Sequence, residues 1–134
     1  MTALDILAIG EPLYELAEAT IDGERVITDS LGIALYLAER HPGVWPAGEE
    51  ARIFAQGAVV EMHGGFGHLR NDCTMNVGVR VTPRPMSEGL KRNVARVREI
   101  FETGLARFGG PWLAGEAFSA ADAFYEIGRA SCRE

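Results

Sequence analysis

The apolar positions Leu90, Val94, Val97, Phe101, Leu105 and Phe108 advance by four, three, four, four and three residues, the spacing that lines one face of an α-helix. Lys91, Arg92, Arg96, Arg98, Glu99 and Glu102 fall on the other face, a solvated surface on which Arg98 and Glu102 lie one turn apart for a weak pair. Ser87 opens this segment and Gly109-Gly110-Pro111 ends it, so the pattern predicts a helix over 87–108. A second helix is predicted from about Glu49 to Arg70, where Phe54, Ala58, Met62, Phe66 and Leu69 recur at four, four, four and three. Core packing is the simplest role for that stripe. Gly57, Gly64, Gly65 and Gly67 in the same run would each weaken a helix by roughly 1 kcal/mol relative to alanine, so a bend or a close backbone approach is expected. Asn71 to Arg84, with Asn71-Asp72, Gly78 and Pro83, reads as a loop between helices.

Two junctions carry polar signals. In Val26-Ile27-Thr28-Asp29-Ser30 a β-branched pair favours a strand, and Thr28 or Asp29 can cap the apolar helix that follows over 31–38. Arg40 and His41 suit the negative end of that helix before Pro42 stops it. Its first-turn N–H groups with the Ser30 hydroxyl can receive a carboxylate, while Asp29 can take an ammonium, so one amino acid supplies both charges. Asp29 as an ordinary N-cap accounts for the same residues. The second junction, Phe118-Ser119-Ala120-Ala121-Asp122, is a structural capping box: the Ser119 hydroxyl can accept from the Asp122 N–H, and the Asp122 carboxylate can reach back to the Ser119 N–H. Ala123 is too small to complete a hydrophobic staple with Phe118.

A net charge of −6 over 134 residues argues against nucleic acid or an anionic membrane as a partner. No apolar run reaches membrane-spanning length and 1–14 lacks a signal-peptide pattern, so a cytoplasmic location is expected. His41, His63 and His68 have neither zinc-site spacing nor a nearby nucleophile, which leaves no metal site and no catalytic residue to name.

The run DSLGIALYLAERHP over 29–42 resembles the glutathione transferase superfamily, in which a strand, an acidic-Ser turn and a helix of this kind close a thioredoxin-like domain. The order continues with Val44-Trp45-Pro46, Glu61-Met62-His63-Gly64-Gly65-Phe66, Met75-Asn76 and the Ser119 box, similar to a bacterial subgroup with LWP, EMHSGF and PMN; Gly64 and Thr74 depart from its serine and proline. The resemblance implies an α/β plus all-α fold, with a partial thioredoxin-like domain over 1–42 and the first helices of an all-α domain over 43–126. It implies that Asp29 and Ser30 bind the γ-glutamyl end of glutathione. It also implies that Met62, His63, Phe66 and Arg70 border a substrate cleft or a dimer partner. The implied activity is transfer of glutathione to a small electrophile, or its use in isomerisation or reduction, by a homodimer.

The thiol-activating Ser, Tyr or Cys of that family is not recognisable, and Glu18 to Gly23 lacks the proline that the family places before its third strand. The chain therefore reads as a fragment truncated at both ends and itself inactive, and a non-catalytic scaffold module of the same fold is the alternative. Residues 127–134 back-translate to a common sequencing adapter and are read as a non-native tail that does not extend the helix begun at Ser119. Cys73 is then the one natural cysteine, and no disulfide is expected.

Overall fold

A computed structural model describes residues 5–7, 18–21, 25–73 and 85–131, with side chains over 27–73 and 85–125. The described fold is mostly helical, and the chain divides into two compact units, 1–44 and 45–134.

In the first unit, short strands β1 (Asp5–Leu7), β2 (Glu18–Ile21) and β3 (Arg25–Thr28) pair in order as an antiparallel sheet. Ala19 lies opposite both Ile6 and Ile27. Helix α1 (Ser30–Ala38) follows β3 through the single residue Asp29 and buries Ile33 and Ala34. Its end is tied by the Arg40 Nη1, which donates to the Tyr36 carbonyl at 3.0 Å while the guanidinium lies 3.7 Å over the Tyr36 ring. A 3-10 turn over Pro42–Val44 ends the unit.

The second unit is built from α2 (Glu49–Gly64), α3 (Gly67–Asp72), α4 (Glu88–Phe108) and α5 (Ala120–Ser131). Ala55, Ala58, Val59 and Met62 are the buried face of α2, and Glu49 and Glu50 complement its positive end. The helix expected over 49–70 is broken. Gly65 is extended, and Phe66 takes a left-handed conformation (φ 60, ψ 36) before α3 starts, so the glycine-rich run marks a bend. The apolar stripe hides the break because Phe66 and Leu69 stay buried on both sides of it. A Cβ on Gly65 would stand 2.5 Å from the Glu61 carbonyl oxygen, whereas Gly57, Gly64 and Gly67 have open space.

Helix α4 has the bounds its periodicity predicts, with the Ser87 hydroxyl accepting from the Leu90 N–H at 3.1 Å and Gly109 ending it at φ 69. Its buried side differs from the expected stripe: Leu90, Ile100 and Gly104 are buried, Val94, Val97, Phe101 and Phe108 are half-buried, and Leu105 is exposed. Asn71 and Asp72, expected in a loop, form the last turn of α3; Met75-Asn76 lies outside the described residues. Helix α5 continues through Ser131, so 127–131 do extend the helix that follows Ser119. Once a helix is nucleated each added residue forms a hydrogen bond at little further cost, and Arg129 and Ala130 are good helix formers.

Gly104 is where α4 meets the turn after it. A Cβ there would collide with the Leu113 backbone oxygen and come within 2.9 Å of the Phe54 ring. Gly104→Ala should therefore lower stability by about 1 to 3 kcal/mol in a urea titration, through overpacking against backbone that cannot yield. Gly57→Ala, with nothing within 4 Å of the new methyl, should raise it by up to about 1 kcal/mol. Equal effects at the two positions would contradict this packing.

Candidate functional site

Asp29 joins β3 to α1 and supplies the cap of the helix. Its Oδ1 accepts from the Leu31 N–H at 2.8 Å and the Gly32 N–H at 3.2 Å, and its carbonyl accepts from the Ile33 N–H at 3.0 Å. The cap thus engages the second, third and fourth N–H groups of α1. The anion-receiving surface expected at this terminus narrows to Ser30, whose N–H and hydroxyl stand at the first helical position. Both residues are half-buried. The Asp29 backbone lies at φ 91, ψ 128, a conformation rare for a residue with a side chain and costing roughly 1 to 3 kcal/mol. Ser87 caps α4 from the ordinary extended region, φ −63 and ψ 156, so capping alone does not require the strained geometry.

Met62, His63, Phe66 and Arg70 belong to the second unit, around the α2–α3 bend. Met62 and Phe66 are buried core residues and His63 is exposed. The Arg70 guanidinium turns back on α2: Nε donates to the Gly65 carbonyl at 3.1 Å and Nη2 to that of Met62. These are carbonyls that a helix end leaves without internal partners, so Arg70 fastens α3 to α2. On the other side of the bend, the Asn93 Oδ1 of α4 accepts from the Leu69 N–H at 3.1 Å.

The Ser119 box has a different arrangement from the expected reciprocal pair. The Asp122 Oδ2 accepts from the Ser119 N–H at 2.8 Å and also from the Ser119 hydroxyl at 3.1 Å, while the Asp122 N–H donates to the Ser119 carbonyl. The hydroxyl is therefore a donor here. The second carboxylate oxygen accepts from the Leu113 N–H at 2.7 Å. Phe118, without a staple partner at Ala123, packs edge-on against Trp112 at 5.0 Å between ring centroids.

Three features escape sequence reading. Tyr125 is 1% exposed and its hydroxyl donates to the Ala58 carbonyl at 3.1 Å. Burial, with a smaller contribution from the Glu61 charge, pushes the phenol well above its ordinary range, so it remains a donor. Leu113 is 1% exposed, and its only sequence signal is an apolar residue within a glycine-rich turn. Glu61 and Arg96 form a bidentate pair at 2.7 and 2.9 Å between α2 and α4, and Glu99 pairs with Arg96 at 2.8 Å. No local spacing signals a partnership across 35 positions. Among the described residues the expected Arg98–Glu102 pair is not formed, and no cluster of three His, Cys, Asp or Glu side chains could share a metal ion. No described helix is long and apolar enough to cross a membrane.

No family model matches the chain. A zeta-class glutathione S-transferase from Euphorbia esula is 28% identical to it over 111 residues, 81% of this chain and 49% of that protein. Among solved structures, a glutathione transferase from Methylococcus capsulatus matches with a TM-score of 0.58 at 24% identity, over 87% of this chain and 56% of that one. Another from Streptococcus pneumoniae, complexed with glutathione, matches with a TM-score of 0.56 at 20% identity, over 84% of this chain and 44% of that one. The chain thus spans about half the length of the curated relative it matches. In sequence and in fold the chain is distantly similar to these glutathione transferases.

The Arg96 hydrogen bonds hold the Glu61 carboxyl below its ordinary value of 4.5 against the opposing effect of partial burial. A carboxylate with a depressed value in the folded state adds stability above its unfolded pKa and loses it as pH falls through the folded one. Both side chains are partly exposed, so the contribution should stay under about 1 kcal/mol. Glu61→Gln should therefore melt below the parent at pH 7, and the gap should close as pH is lowered past about 4.5; a constant gap would mean that the charge is immaterial. Asp122→Ala should have a larger effect, on the order of 3 kcal/mol in denaturant titration, because it strands the buried Leu113 and Ser119 donors.

Proposed function

We propose that this chain carries the glutathione-anchoring part of a glutathione S-transferase-like enzyme. In this reading 1–42 is the end of a thioredoxin-like domain and 43–126 the first helices of the all-α domain. Asp29 takes the γ-glutamyl ammonium of glutathione, and the Ser30 hydroxyl and N–H take its carboxylate. The observation that carries the proposal is the Asp29 backbone. A capping aspartate at φ 91 bears strain that the Ser87 cap does without, and such strain is retained where it aims a side chain at a ligand. The glutathione bound to the Streptococcus pneumoniae relative supports the choice of ligand.

In the whole enzyme, a hydrogen-bond donor would lower the pKa of the glutathione thiol. The thiolate sulfur would then form a bond to an electrophilic carbon as the leaving group departs, or serve isomerisation or reduction. Of the four residues around the α2–α3 bend, exposed His63 is the one offered to a second substrate or to the partner of a homodimer. Met62 and Phe66 are buried at the bend, and Arg70 fastens α3 to α2 there.

Asparagine caps helices as aspartate does and tolerates positive φ, so Asp29→Asn separates the cap from the charge. It should leave the melting temperature nearly unchanged and weaken glutathione binding, read by calorimetric titration, by about 1.5 to 3 kcal/mol, or roughly 10- to 150-fold. An unchanged affinity would overturn the assignment. The chain itself should give no conjugation of an aromatic halide above a heat-killed control; turnover there would mean that the thiol-activating group lies within these residues.

A further inference from the structure

We draw no further inference here: the strongest candidate, the half-open apolar cleft of about 330 Å³ lined by Phe101, Leu105, Pro111, Trp112 and Tyr125 between α4, the turn after it and α5, has its Asp122 and Tyr125 polar groups already engaged within the fold, and nothing in the structure shows what covers it.

Discussion

The Asp122 carboxylate binds the second unit together. It lies 8% exposed, where an unpaired charge would be strongly destabilising, and both of its oxygens are engaged by donors from the chain before it. One oxygen holds the Leu113 N–H, which fixes the turn between α4 and α5; the other holds the N–H and hydroxyl of Ser119, which fixes where α5 starts. With Leu113 held, its carbonyl lies where only a glycine at position 104 leaves room, and the same glycine admits the Phe54 ring of α2. With the start of α5 held, Ala121 and Tyr125 are presented to the core, and the Tyr125 hydroxyl reaches the backbone of α2. The arrangement of three helices is thus tied to one buried side chain.

Asp29 does related work under the opposite constraint. Asp122 is buried in the first turn of α5, and both of its oxygens are engaged in holding the fold. Asp29 is half-buried, at a backbone conformation that a fold-holding cap does not need. Two aspartates at helix starts, one the N-cap of α1 and the other reaching back from inside α5, are thereby separated by exposure and strain into a folding device and a ligand-binding candidate.

What could be read in the sequence follows the range of the forces involved. The start and end of α4, the cap at Asp29 and the box at Ser119 are set by contacts within a turn or two, and Ser87, Gly109, Asp29 and Asp122 announce them. The α2–α3 bend was half legible: its glycines signal trouble, but the position depends on Arg70 folding back and on Phe66 accepting a left-handed backbone to stay buried. Ile100 in the core and Leu105 outside it show the limit of periodicity, which gives a face but not which part of that face is covered. The Glu61–Arg96 pair and the Tyr125 hydrogen bond join distant segments and left no local trace. At the candidate site the residues were legible and the strain was not, since no composition signal reports a φ of 91.

The bend at Gly65 and Phe66 has a consequence for how the protein opens. It splits what would have been a continuous ladder of backbone hydrogen bonds, leaving α3 as six residues, too few to persist alone in water. Its protection must come from neighbours, by way of Arg70 toward α2 and Asn93 from α4. Amide exchange in 67–72 would therefore track the contacts at the bend and with α4, and this short helix would open as a local unit while the α2–α5 pairing stays closed.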